Sequence, residues 1–424
     1  MITEIQIENY KSIEKLTLSL GRVNVFIGEN GAGKSNILEI IALAGAASAN
    51  KLDNEFLTSR GIRVTAPEHM RQAFSADNST RPIFIKAKNN TNAHASFILK
   101  NDNAPYSKWI TEITTNSAIN FDPSFLQSTI SEFLTHISKE IKDRKKARML
   151  TAKLIEQFSD GLKESLILLN DKKNDSPNLL LELEEKNEFV KFLKNTNFNK
   201  SELSTYLSNF VIYSPENSSL RNFQKEGQIE PLGINGEGVL KLLSMYCNNE
   251  DPSVLLKIKN SLKVLGWFED LKLFDQTNEA RLEIKDRYLD ENSRYFDYTS
   301  ANEGFFFLLF YFLLFNSSLT PSFFAIDNID ASLNPKLCEK LIKELVKLSK
   351  ENNKQVILTT HNPSILDGLN LDDDEQRLFV ISRGRSGSTK VKRITKPEST
   401  EGNYPYRLSE LFLRGMLGGL PKGF

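Results

Sequence analysis

Residues 28–35 read GENGAGKS, a full match to the pattern G-x-x-x-x-G-K-[ST]. Gly28, Gly31 and Gly33 permit backbone angles and close approaches that side chains would block. Successive N–H groups along Asn30, Gly31, Ala32 and Gly33 then point inward at phosphates, and the following helix offers its positive end. Lys34 supplies a cation for the β- and γ-phosphates, and Ser35 a hydroxyl for Mg²⁺. A glycine turn could match the pattern by chance. Here the short apolar run Val23–Ile27 precedes the loop, and Asn36–Ala47 has helical character with few breakers. Strand, glycine loop and helix in that order predict a site for ATP with Mg²⁺.

A second stretch, Ser322–Pro335, reads SFFAIDNIDASLNP. A bulky apolar strand ends in Asp327, where an acid would hold the metal directly or through water. The plain alternative is a strand ending in a turn, where Asp is common. Thirty-four residues further on, His361 follows another apolar strand in ILTTHNP. A His at the C-terminal end of a parallel strand can bond the γ-phosphate or position water. A lone His is more often an ordinary surface or core residue.

Around these motifs, strands and helices alternate. Ile2, Ile5 and Ile7, then Leu16, Leu18 and Leu20, alternate as strands do, with a turn at Asn9–Ser12. Further strands are expected at Pro82–Lys88, Ala95–Lys100, Phe210–Tyr213, Arg281–Lys285, Ser322–Ile326 and Gln355–Leu358. Phe379–Ser382 and Thr389–Ile394 read as a hairpin. Residues 239–275, 304–315 and 335–350 read as helices, the second buried because it is apolar throughout. The predicted fold is α/β, with a mixed or mainly parallel sheet. Phe133, Ile137 and Ile141, then Leu150, Leu154, Phe158 and Leu162, recur at helical spacing. The chain therefore divides into an N-terminal half at 1–122, a helical insertion or lid at 123–208, and a second half at 209–424.

The 424 residues carry 54 basic and 54 acidic side chains, so no overall charge points to nucleic acid. Two distant cysteines, Cys247 and Cys338, fit a reducing cytosol better than a disulfide framework. The N-terminus lacks the features of a signal peptide. Gly304–Phe315 is too short for a bilayer, which takes roughly 20 residues. A cytoplasmic protein without a membrane partner is expected.

The order GENGAGKS, SANEG before an apolar helix, FFAIDNIDASLNP and TTHNP resembles the ABC ATPase superfamily. The opening I-x-IENYKSI points to the branch holding the SMC and RecF heads and the OLD-like ATPases of bacterial antiphage defence, AAA family ATPases in the broad sense. These motifs cover most of residues 1–45 and 298–365. The resemblance implies a P-loop ABC-type ATPase head with a helical insertion lobe, closing as a homodimer or higher homo-oligomer around ATP. It places Ser300, Asn302 and Glu303 in the signature loop that caps the partner's nucleotide, and Ala331–Leu333 in the loop crossing the interface. Asn302 stands where the family has glycine. Asn328 stands where the family has a catalytic Glu. Asn can position water but cannot take its proton, so slow hydrolysis is expected, with Asp330 as a partial substitute. The family's Mg²⁺-contacting Gln has no clear counterpart; Gln72 is the nearest candidate.

No acidic nuclease domain follows the ATPase motifs, so the resemblance implies an ATPase that controls a separate effector nuclease. The alternative is a DNA-repair or DNA-end-binding ATPase of the RecF or SMC type. Lys139–Arg148 clusters six basic side chains. This leaves nucleic acid open as a partner, although a solvated helix face is the default reading. Arg383, Arg385, Lys390, Lys392 and Arg393 read as charges protecting an edge strand. The apolar tail Leu408–Met416 is expected to pack on its own head.

Overall fold

The structure, a computed structural model, describes residues 1–74, 76–116, 202–223, 227–248, 252–276, 279–290, 294–396 and 407–420. It forms two compact units, one of Met1–Asn116 with Glu202–Phe424, the other of Ser117–Ser201. The second unit lies outside the described residues, and with it most of the expected insertion, the Lys139–Arg148 cluster included.

In the first unit, a six-stranded sheet has the order β14-β13-β3-β12-β11-β7. These are Val23–Ile27 (β3), Ile212–Tyr213 (β7), Phe323–Ile326 (β11), Gln355–Thr360 (β12), Gln376–Arg383 (β13) and Thr389–Ile394 (β14). All neighbours run parallel except the β13–β14 hairpin. Alternate residues face opposite sides, as the strand period requires. Phe26, Phe323, Ala325, Ile357, Phe379 and Ile381 belong to one apolar cluster, and Val25, Ile27, Phe324, Ile326, Leu358 and Val380 to the other.

The first cluster also holds helix α1, Lys34–Ser48, and the inner face of a five-stranded antiparallel sheet. That sheet orders Ile2–Tyr10 (β1), Ile13–Ser19 (β2), Ile83–Asn89 (β4), His94–Lys100 (β5) and Ile110–Thr115 (β6) as β2-β1-β4-β5-β6. The second cluster is built on helix Glu303–Asn316, in which every residue from Phe305 to Asn316 is buried. A helix apolar on all sides has no solvent face to offer and takes the centre of the domain. Helix Pro335–Glu351 buries only one stripe, from Leu337 to Ser349. Among the described residues no helix is long and apolar enough to cross a membrane.

The helix expected over 239–275 is three elements instead. Helices Val239–Cys247 and Ser253–Leu262 are followed by strand Phe268–Gln276 (β8). That strand pairs antiparallel with Glu279–Asp286 (β9), which pairs in turn with Tyr295–Asp297 (β10). Leu271 and Leu273 alternate with Lys272, a period-2 pattern that the preceding helical run masks. Strand β6 was not anticipated; it is a polar, largely exposed edge. Helix Glu202–Ser208, read as the end of the insertion, belongs to the first unit. It buries Leu203 and Leu207, and the Leu207 carbonyl sits where a Cβ on Gly45 of α1 would stand, at 2.5 Å. The tail helix Leu408–Leu413 packs on the head through Leu411 and Phe412, and Ser409 bonds Asp367. Leu413 and Met416 face solvent, 64% and 65% exposed.

Gln355, buried at the start of β12, joins the two sheets. It accepts from the Ile2 amide at 2.9 Å and donates to the Ile2 and Gly21 carbonyls, both at 2.7 Å. Gln355→Ala would take this partner from the buried Ile2 amide and carbonyl, while the Gly21 carbonyl would keep its bond from Asn24 Nδ2 at 3.0 Å. We expect a loss of about 2–4 kcal/mol in denaturant unfolding, at about 1–3 kcal/mol per abandoned group with partial relaxation. An unchanged midpoint at constant m would show that the side chain does not join the sheets.

Candidate nucleotide site

Register places the site. Ile27 pairs with Thr360 across β3 and β12, and Ile326 with Leu358 across β11 and β12. The chain therefore leaves Ile27 into the glycine loop, Ile326 into Asp327 and Thr360 into His361 along one edge of the sheet. This is the C-terminal edge, where parallel sheets bind ligands.

The loop is shaped by contacts that leave no room for side chains. A Cβ on Gly28 would lie 2.0 Å from the Ile381 carbonyl oxygen, and one on Gly33, at φ +107°, 2.1 Å from Thr389 Oγ1. The loop carbonyls turn toward the protein's own donors. Lys34 Nζ donates to the Gly28 and Glu29 carbonyls at 2.8 and 3.0 Å. Arg383 Nε donates to Gly31 at 2.8 Å, and Thr389 Oγ1 to Ala32 at 3.1 Å. Four loop oxygens are so engaged, the Ala32 amide donates to the Glu29 carbonyl at 3.3 Å, and α1 begins at the end of the loop with Lys34 and Ser35. Asn30 and Gly31 are exposed at the loop tip, while Ala32, Gly33 and Lys34 are buried. Such a cradle suits a chain of phosphates.

Ser35 Oγ donates to Asp327 Oδ2 at 3.1 Å, which brings together the hydroxyl and the carboxylate expected to serve the metal. Thr359 Oγ1 bonds the other oxygen of Asp327 and accepts from the Asn328 amide at 2.9 Å. Among the described residues no group of three or more His, Cys, Asp or Glu forms a metal cage. One hydroxyl and one carboxylate suit Mg²⁺, which keeps waters and takes substrate phosphates as further ligands.

Asn328 adopts φ +55°, the left-handed region in which Asn is enriched among non-glycine residues. Its carboxamide is exposed and bonds no other described residue. Asp330 does not stand free beside it, because Thr360 Oγ1 donates to Asp330 Oδ1 at 2.6 Å. The expected substitute for the missing acid is thus anchored to the end of β12. His361 is exposed. Burial of part of the ring and the Lys34 ammonium lower its pKa, against the opposing pull of Asp330 and Asp327. A lowered pKa keeps the imidazole neutral at pH 7, able to donate through one nitrogen and accept through the other.

The signature-loop residues do not join the phosphate loop of their own chain. Ser300 is exposed in a short turn, Tyr298–Ser300. Asn302 caps the apolar helix by accepting from Phe305 N at 2.9 Å. Asn302, which the resemblance sets against a glycine, therefore has a local structural task. Glu303 accepts from Asn217 Nδ2 at 3.0 Å and Ser332 Oγ at 2.8 Å. Gln72 is buried, with its side-chain oxygen taken by Asn78, so it is not aimed at the site.

Sequence reasoning missed several supports. Thr359, Thr360 and Thr389 sit inside quoted motifs or strands, where a hydroxyl at a strand end was the available signal. Arg383 was read as an edge charge and instead holds the loop tip. Glu39, 2% exposed, bonds Lys11 and Arg63, each at 2.5 Å, and Tyr10 at 3.3 Å. Burial first, then the Glu39 carboxylate, pushes the Tyr10 pKa well up. The sites of these partners, in a β1–β2 turn and a later loop, gave no sequence clue to their meeting.

Burial lowers the Lys34 pKa to about 8, although Asp327, Asp330 and Glu29 all pull it upward. Phosphate binding favours the charged ammonium, so above about pH 8 binding takes up a proton. ATP affinity should then fall by up to about tenfold per pH unit as pH rises beyond about 8. Calorimetry in buffers of different ionisation enthalpy checks this, and a flat affinity across the same range would remove charged Lys34 from phosphate binding.

Residues 1–366 match the family model described as AAA ATPase domain. The DNA replication and repair protein RecF of Bacillus thuringiensis (strain Al Hakam) and that of Bacillus cereus (strain B4264) are each 46% identical over 55 residues. That match covers 13% of this chain and only 15% of either relative. Among solved structures, the Smc head bound to the C-winged helix domain of ScpA aligns with TM-score 0.52 and 14% identity, covering 93% of this chain and 98% of that one. The SMC head domain from Thermotoga maritima aligns with TM-score 0.45 and 12% identity over 93% and 98%. At 14% identity the first of these is a likeness of fold, and it agrees with the α/β head described above. Since the matched span holds both the glycine loop and the Asp327 turn, the chain belongs to the AAA ATPase domain family.

Proposed function

We propose that this ATPase is slow and that bound ATP works mainly as a switch. Asn328 carries the proposal, because a neutral, exposed carboxamide stands where the resemblance calls for a Glu. It can orient water by hydrogen bonding but cannot accept a proton at neutral pH. In this reading Asn30 to Ser35 hold the phosphates, Lys34 places a cation among them, and His361 and Asn328 orient the attacking water. Asp330 supports the turn from its bond to Thr360. Mg²⁺ at Ser35 and Asp327 supplies charge neutralisation for the phosphates.

The signature residues have no route to the phosphate loop of their own chain in the described structure, which supports a site completed by a second copy. Two protomers would close on ATP, with Ser300 and the adjoining loop facing the partner's nucleotide. A closed pair that hydrolyses slowly persists and can hold or release a further protein. By resemblance to OLD-like ATPases, that further protein is a separate effector nuclease of a cytoplasmic antiphage system. Fold likeness alone does not assign such a role. Co-purification with a nuclease encoded by a neighbouring reading frame would support it, and a stable complex with no nuclease would end it.

The similarity to RecF favours a second reading, a DNA-binding ATPase of the repair type. It predicts duplex binding that weakens steeply with salt and DNA-stimulated hydrolysis. Absence of both would discard it.

Phosphate release from Mg-ATP decides the main proposal. We expect native turnover only slightly above Lys34→Ala. Asn328→Glu should raise it by about 10²–10⁴-fold, the usual worth of a general base. The same substitution should cost about 1 kcal/mol of stability, because Glu lacks the tolerance of Asn for φ +55°. Robust native turnover, unchanged by Asn328→Glu, would sink the account of Asn328.

A further inference from the structure

The first turn after strand β7 carries two side chains that no motif singled out, Asn217 and Arg221. Strand β7 pairs with β11, and the amide of Asp327 donates to the Tyr213 carbonyl at 2.8 Å. Two backbone bonds then fix the exit, Ser214 N to Ile234 O at 2.7 Å and Glu216 N to Asn235 O at 2.9 Å. Leu220 is buried beneath the turn. The turn is therefore anchored to the same strand pair that delivers Asp327.

From this anchor the Arg221 guanidinium reaches the loop before the apolar helix. One nitrogen donates to the Tyr298 and Thr299 carbonyls at 3.1 and 3.3 Å, and the other terminal nitrogen to Ala301 at 2.7 Å. The Nε donates to Asn217 Oδ1 at 3.1 Å, which orients the group. The guanidinium carbon also lies over the Phe306 ring, 4.4 Å from its centroid. A planar fork that bonds several carbonyls and stacks on an aromatic ring is specific to Arg; a Lys ammonium cannot reproduce it.

Asn217 extends the connection. Its Nδ2 donates to one oxygen of Glu303, and Ser332 Oγ donates to the other. Ser332 lies at φ +58° in the loop that continues from the Asp327 turn. That loop is tied back by Ala331 N to Asn328 O at 3.1 Å, and by Tyr311 OH to Ile329 O at 3.3 Å. Both oxygens of Glu303 are thus used within one protomer.

We infer that Asn217 and Arg221 are positioning residues: they clamp the 298–303 loop in cis and, through Glu303 and Ser332, lock it to the turn that follows Asp327. The two loops proposed to face a partner's nucleotide then move as one body with the protomer's own metal-binding turn. This rests on the ATPase reading above. A change at Asp327 on nucleotide binding is passed to the 298–303 loop through these side-chain bonds, a shorter route than the chain itself, which runs through helix Glu303–Asn316 and strand β11. Binding of ATP to a single protomer does not need the clamp; turnover in the closed pair does.

The test compares Arg221→Ala, Arg221→Lys and Asn217→Ala with the full native chain, using Mg-ATP. Arg221→Ala should keep ATP affinity within about twofold and, with every variant placed in the faster Asn328→Glu chain so that turnover stands well above the blank, lower kcat by about tenfold or more. Amides of residues 299–305 should exchange hydrogen about tenfold faster, with the rest of the head unchanged. Arg221→Lys should recover little of either, and Asn217→Ala should show an intermediate loss. A general structural defect would instead weaken affinity, kcat and exchange protection together across the head. Unchanged kcat, or an equal loss of ATP affinity, overturns the inference. Should Arg221→Ala fail to fold, Asn217→Ala carries the same comparison. If the native chain itself neither binds nor hydrolyses ATP, the ATPase reading has failed; local exchange in the 299–305 segment still judges the clamp separately.

Discussion

The carboxylate of Asp327, bonded on one oxygen by Ser35 and on the other by Thr359, is the interaction on which the site depends. It joins the first helical turn after the glycine loop to the ends of two adjacent parallel strands. The contact exists because β12 lies between β3 and β11, a strand order that no local signal encodes. Once those strands are in register, the glycine loop, Asp327 and His361 leave the sheet at one edge. A one-residue slip would reverse the facing of every side chain on the slipped strand and so exchange its residues between the two apolar clusters.

The electrostatics of the site follow from burial more than from charge. Three acids act on Lys34, yet desolvation outweighs them and brings its pKa to about 8. The ammonium meanwhile bonds two loop carbonyls, so it is held close to where phosphates would lie. Lys354, at the opposite end of β12, is also brought to about 8 by burial. It bonds the carbonyls of Ser317, Thr320 and Pro321. The same shift therefore marks a structural cation at one end of a strand and a candidate binding cation at the other. Position at the C-terminal edge separates them, not the shift itself.

Asn328 illustrates how one residue answers to both backbone and chemistry. At φ +55° Asn is favoured over a longer acid, so the local conformation and the absence of a carboxylate belong together. Asn302 likewise serves the helix it caps, and Glu303 spends both oxygens on its own chain. In each case a residue that the resemblance assigns to a catalytic motif also answers to the local structure of its own chain.

The glycine loop, the strand ending in Asp327, the apolar central helix and the C-terminal hairpin were legible in the sequence, because each depends on spacing or composition within a short window. Strand β8 was not, because its alternation begins directly after a helical pattern and its partner, β9, lies beyond a turn. The roles of Thr389, Arg383, Arg221 and Glu39 were also hidden. Each acts by meeting residues distant in the chain, as Thr389 meets Ser12 and Arg383 meets Gly31. The sequence by itself determined the class of chemistry, since phosphate binding needs particular residues at fixed local spacing. Only the tertiary structure decided which side chains hold that machinery in place, since hydrogen bonds between distant segments exist only once the sheets have paired.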